Sequence, residues 1–166
     1  MRADGSCCEG AWRPLAAGAC LEQARREAGF LLPSFNEEGR RMNVLLVFLG
    51  GGLGSAARYG IGVLSLRLAG GGYPCGTFAI NVLGSFLMGV VAETFALKGG
   101  LPQPLRLFLT TGVIGGFTTF STYALETALL QERGEWGAAF VYALGSVVIG
   151  VAALFAGLAL MRLVLD

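Results

Sequence analysis

Three groups of residues carry the polar chemistry of an otherwise apolar chain. In TTGVIGGFTTFSTYALETALL, Thr110 to Leu130, the glycines Gly112, Gly115 and Gly116 precede Thr118, Thr119, Phe120, Ser121, Thr122 and Tyr123, and Glu126 follows one helical turn later. Glycine weakens a helix, and backbone that leaves the helix frees carbonyl oxygens, which are hard ligands for a cation such as Na⁺. A break at Gly115–Thr118 is therefore a candidate cation site. Phe120 and Tyr123 stand three apart, on nearby parts of one helix face. Aromatic edges carry partial positive charge, so the two rings could face an anion while the hydroxyls of Ser121 and Thr122 donate to it. A kinked helix with aromatic packing is the other reading, and the residues alone leave both open.

The second group lies in GTFAINVLGSFLMG, where Thr77, Asn81, Gly84 and Ser85 fall near one helix face. For the glycines, small residues at this spacing let helices pack closely. A side-chain amide in hydrocarbon must find partners, so Asn81 either ties helices together or offers N–H donors to an anion. The third group is the stripe Tyr142, Ser146 and Gly150, spaced by four. Charged residues at membrane depth add Arg58, which lines a wet vestibule or pairs within the bundle, and Glu93, expected near a helix end within reach of water. Glu126 extends the polar face of Ser121 and Thr122.

These groups sit on elements that composition restricts. The chain has 166 residues, 54% hydrophobic and 14% charged, against about 25% charged in an ordinary soluble domain. Too little charge remains to cover a water-facing surface, so an all-α integral membrane protein is expected. A net charge of +1 with no basic stripe argues against a nucleic-acid partner. Histidine is absent, and Cys7, Cys8, Cys20 and Cys75 form no C-x-x-C pair, so neither a zinc site nor a catalytic base is expected. With no nucleophile–base pair either, an enzyme is not expected.

Composition changes near Met42. Residues 1–41 are rich in charge and hold no apolar run long enough for a signal-peptide core; they read as a poorly ordered N-terminal extension or as sequence upstream of the true start. From residue 42 to 166, four spans follow at about 44–66, 78–97, 105–130 and 137–163, each near the roughly 20 apolar residues that a bilayer requires. The short loops AGGGYPCG, KGGLPQ and QERGEW make neighbours antiparallel, which gives a four-helix bundle with both termini on one side. Arg40, Arg41, Lys98, Arg106 and Arg162 fall on that side, and Arg67 and Arg133 on the other, a bias that puts the termini inside. Counted from Met42 the tally is three against two, close to balanced.

In combination, GGGLGSAARY, GTFAINVLGSFLMG and GGFTTFSTY resemble the Fluc (CrcB) family of small bacterial fluoride channels, across all four spans and in the family's order. The resemblance implies a multi-pass protein of the bacterial inner membrane with a broken third helix. It implies an antiparallel, dual-topology homodimer with two separate fluoride pores. It further implies a structural sodium ion at the dimer centre, held by backbone carbonyls at the positions of Gly115 and Thr118. The family's pore phenylalanines match Phe120 and Tyr123, and its pore asparagine matches Asn81. A row of hydroxyl and carboxyl groups beside the pore matches Thr77, Ser121, Thr122, Glu126 and Ser146. Arg58 and Tyr142 match an arginine of the first helix and a tyrosine of the fourth. Tyr123 departs from the typical phenylalanine and brings a hydroxyl that must be accommodated. Fluoride is small and tightly hydrated, so several weak donors suit its passage better than one strong site. The alternatives are a small proton-coupled secondary transporter, which would need Glu93 or Glu126 as its exchange site, and a scaffold that transports nothing.

Overall fold

In a computed structural model, residues 37–99 and 102–165 are described, and among them there is helix and turn but no strand. The chain order is α1 (Glu37–Ala69), α2 (Cys75–Leu97), α3 (Gln103–Leu107), a π-helical stretch (Phe108–Ile114), α4 (Gly115–Phe117), α5 (Phe120–Glu132) and α6 (Trp136–Leu165). The expectation for residues 1–36 lies outside the described residues. Helix α1 begins at Glu37 and passes through Met42 without interruption, so residues 37–41 are helical and the change in composition marks no helix boundary.

Helices α1, α2 and α6 are each long and apolar enough to cross a membrane. The third expected span is divided. A seven-residue π-helical stretch leads into α4, and the backbone then turns extended at Thr118 (ψ 157°) and Thr119 (φ −151°, ψ 117°) before α5 begins. π-Helical turns are rare and concentrate at functional sites.

Local chemistry sets the ends. Gly70 has φ +70° and donates its N–H to Leu66 O (3.1 Å), closing α1 as a left-handed cap. Gly134 (φ +78°) ends α5 with paired bonds, Gly134 N–H to Gln131 O (2.9 Å) and Glu135 N–H to Leu130 O (3.0 Å). Pro74 and Pro102 stand at the starts of α2 and α3, where a missing N–H costs nothing.

Glycines hold the helices together. Helix α2 packs most extensively on α6. A β-carbon at Gly89 would overlap the carbonyl of Leu154, and one at Gly157 would overlap that of Phe86. Three further close approaches join α1 and the third span. Gly50 and Gly54 of α1 lie against Phe108, Gly112, Val113 and Phe117, while Gly116 lies against Gly51. This is small-residue packing of the kind membrane helices use, so Gly112 and Gly116 serve close approach as well as weakening the helix. Gly115 differs: it is exposed, and an added β-carbon would meet only Thr110 O, at 3.4 Å.

Glu93 does not reach water as expected. It is 8% exposed and pairs with Arg162 of α6, Nε to Oε1 2.7 Å and Nη2 to Oε2 3.3 Å. A buried carboxylate needs such a partner, and here the pair ties the C-terminal ends of α2 and α6.

Only 11% of the apolar window in α1 and in α6 is buried inside the chain, and 22% in α2. Large apolar side chains such as Phe48, Phe155 and Leu163 are exposed. Lipid or another chain must cover such a surface. The chain is an all-α, multi-pass membrane protein.

Candidate functional site

The site is built around the break at Thr118 and Thr119. In a continuous helix the N–H of Thr119 would bond to Gly115 O. It bonds instead to Asn81 Oδ1 of α2 (2.8 Å), while Asn81 Nδ2 donates to Thr119 O (3.0 Å). One side-chain amide thus satisfies both backbone groups of one residue, as a neighbouring strand would. Leaving both groups unpaired would cost about 1–3 kcal/mol each. Asn81 therefore ties two elements together, and one of its two N–H donors serves that bond.

Restarting the helix uses a second device. Thr119 is the N-cap of α5, its Oγ1 accepting from the N–H of Thr122 (3.2 Å) and lying 3.0 Å from Thr122 Oγ1, to which it donates. The Ser121 hydroxyl stands 3.3 Å from Thr119 Oγ1. Since Thr122 Oγ1 accepts from Thr119, its own hydrogen is free for another acceptor. The N–H that would have reached Thr118 O is that of Thr122. The carbonyls of Gly115 and Thr118 have thus both lost their helical partners, whereas Gly116 O receives the Ser55 hydroxyl at 3.4 Å.

Asn81, Thr118, Phe120, Tyr123 and Ser146 line one cavity of about 320 Å³. The rings of Phe120 and Tyr123 are 5.3 Å apart and tilted by 43°. Ser146 Oγ is buried and has no hydrogen-bond partner among the described residues, an arrangement that native structures rarely tolerate without a reason. The additional hydroxyl of Tyr123 is accommodated outside this group, donating to Ala143 O of α6 at 3.0 Å. Replacing Tyr123 with Phe is expected to cost about 1 kcal/mol of stability and to leave intact the fluoride flux that the family resemblance implies. Flux through the reconstituted variant checks this, and a large loss would show that the hydroxyl serves the ion directly.

Glu126 lies beyond the rings. Thr77 Oγ1 donates to its Oε1 (2.8 Å) and the Tyr142 hydroxyl to its Oε2 (2.7 Å). A carboxylate at membrane depth requires such donors. Tyr142 is 1% exposed and stacks at 5.4 Å on Tyr123 and edge-on at 5.8 Å on Tyr73. Thr77 and Glu126 line a second cavity, of about 270 Å³, beneath the α1–α2 loop.

The structure thus brings together Thr77, Asn81, Thr118, Phe120, Ser121, Thr122, Tyr123, Glu126, Tyr142 and Ser146. The face shared by Thr77, Asn81 and Gly84 does turn toward the broken span, and Tyr142, Ser146 and Gly150 are all buried. Arg58 stands apart from that network: half-buried on α1, it makes no hydrogen bond or ion pair among the described residues. Three contributors were missed. Thr119 carried a signal, a threonine directly before a helical run. Tyr73 and Arg133 carried none, because only the fold sets them around the second cavity.

A short helical chain with glycine-packed spans and a polar break between them is a small multi-pass membrane protein with a polar site among its helices. The pattern of the family described as "CrcB-like protein, Camphor Resistance (CrcB)" matches residues 45–158, and the chain belongs to that family. It is 56% identical over 121 residues to the "Fluoride-specific ion channel FluC 2" of Nitrobacter hamburgensis, covering 73% of this chain and 98% of that protein. It is 54% identical over 121 residues to the "Fluoride-specific ion channel FluC" of Methylobacterium nodulans, covering 73% and 97%. A protein of the same description from Phenylobacterium zucineum is 57% identical over 120 residues, covering 72% and 94%.

Proposed function

We propose that this chain is a fluoride-selective ion channel that lets fluoride leave the cell passively and so relieves its toxicity. One observation carries the reading: the break held by Asn81 and flanked by the Phe120–Tyr123 ring pair, in a chain 56% identical across almost the whole of a fluoride-specific channel. Fluoride binds water strongly, so the path must offer replacement donors while holding the ion nowhere too tightly. The hydroxyl of Ser146, which has no partner among the described residues, the hydrogen of Thr122 and the second N–H of Asn81 are such donors. The ring edges of Phe120 and Tyr123 add weaker attraction. Ser121, Thr77, Tyr142 and Glu126 continue the polar row from the first cavity to the second, and Arg58 joins the path on family resemblance alone.

The two halves of the third span together form a fourth membrane crossing in the bacterial inner membrane. The functional unit is an antiparallel homodimer. Exposure of Gly115 and of Phe120, at 77%, supports a second copy covering this face. Sodium fits the chemistry of the break. The carbonyls of Gly115 and Thr118 lack helical partners and are hard oxygen donors of the kind Na⁺ takes. Two chains would together supply the set, and the bound ion would give structural support and a positive potential favourable to an anion. Replacing sodium by a large organic cation is expected to reduce flux or dissociate the dimer, read by efflux and by size-exclusion chromatography. If neither changes, Gly115 and Thr118 hold no sodium.

Proton exchange is disfavoured at Glu93, whose carboxylate is tied to Arg162. The functional reading is tested in bacteria lacking their own fluoride exporter. Expression of this chain should restore growth in fluoride, and failure with the protein folded in the membrane would overturn it.

A further inference from the structure

The second cavity, beneath the loop from Gly70 to Pro74, lies outside the ring-pair site but is joined to it. The rings of Phe120, Tyr123, Tyr142 and Tyr73 follow one another at 5.3, 5.4 and 5.8 Å, from the first cavity to the wall of the second. Thr77 and Glu126 belong to the same wall. The second cavity is thus where the polar row meets the loop side of the protein.

Its electrostatics pose a problem for an anion. Glu126 places a carboxylate there, and the C-terminal end of α5, with its partial negative charge, lies beside it. Glu132 and Glu135 add negative charge on the adjoining exposed turn. One cationic side chain lines the cavity among the described residues: Arg133, the C-cap of α5. Its Nη1 lies 3.5 Å from Gly72 O, which turns the exposed guanidinium toward the loop that walls the cavity. Arg67, at the end of α1, does not line it.

We infer that this cavity is one mouth of the ion path, facing the cell interior in one of the two antiparallel chains, and that Arg133 recruits fluoride to it. The inference rests on the fluoride-channel reading. The guanidinium offsets the field of Glu126 and the helix end, so a small hard anion gathers in a chamber that would otherwise repel it. Charged clefts raise the encounter rate of an opposite charge by about 10-fold to 1,000-fold, and the effect falls steeply with ionic strength. Arginine recruits here as a rim charge, well placed because its strongly hydrated ligand need only approach it. Deeper in the path, the neutral donors take over.

The test is fluoride efflux from proteoliposomes at low fluoride, for the wild type, Arg133→Gln and Arg133→Lys, across a series of impermeant salt concentrations. Arg133→Gln should reduce flux about tenfold at low ionic strength. The deficit should shrink to within about twofold near 1 M salt, where the screening length is only about 3 Å. Arg133→Lys, which keeps the charge, should retain most of the flux throughout. A deficit equal at all salt concentrations would mark a structural role and overturn the inference, as would no deficit at all. Loss in Arg133→Lys equal to that in Arg133→Gln would overturn it too. Absence of flux in the wild type would instead defeat the fluoride reading itself, and the inference with it.

Discussion

Phe120→Ile slows fluoride flux several-fold and leaves the protein folded. The Phe120 ring is 77% exposed in the chain, makes its ring contact with Tyr123 and takes no part in the hydrogen bonds of the break. Isoleucine keeps the apolar bulk but has no polarised edge to offer an anion. Edge interactions of aromatic rings contribute about 0.5–1.5 kcal/mol beyond buried area. Losing one where a dehydrated ion passes should therefore slow transport by about 2-fold to about 12-fold. Efflux from proteoliposomes measures the loss, and an unchanged size-exclusion profile confirms that folding survives. Undiminished flux would remove Phe120 from the path.

Asn81→Leu produces the opposite combination, in which structure fails together with transport. Leucine is close in size but can neither accept from Thr119 N–H nor donate to Thr119 O. Two buried backbone groups would then go unpaired in a low-dielectric setting, at a cost of about 2–6 kcal/mol in all. The break is expected to collapse or rearrange. Folded yield, thermal stability in detergent and flux should all fall. Asn81→Asp is no rescue, because a carboxylate can accept from the N–H but meets the carbonyl as a second acceptor. A stable, fully conducting Asn81→Leu variant would show that the break holds itself open without α2.

Much of this arrangement was legible in the sequence because the signals are local. Apolar runs mark α1, α2 and α6, and Gly-Pro punctuation marks the turns at Gly70–Pro74 and near Gly134. The glycines before Thr118 announced a weak point, and the spacing of Thr77, Asn81 and Gly84 placed them on one face. What was not legible depends on contacts far apart in the chain. Asn81 meets Thr119 across 38 residues, and Glu93 meets Arg162 across 69, so neither pairing has a local signature. Gly112 and Gly116 read as helix weakeners because their role against Gly50 and Gly51 exists only once α1 is packed. Tyr123 read as an unexplained departure for the same reason: its hydroxyl finds Ala143 O on another helix.

The central claim is selective, passive movement of fluoride. Purified protein is reconstituted into liposomes loaded with fluoride or, in parallel, with chloride, and a potassium ionophore is added to release the electrical restraint. External electrodes follow each anion. The account predicts rapid fluoride release with no matching release of chloride and no requirement for a proton gradient. Retention of fluoride by well-folded, reconstituted protein, or equal release of both anions, would contradict it.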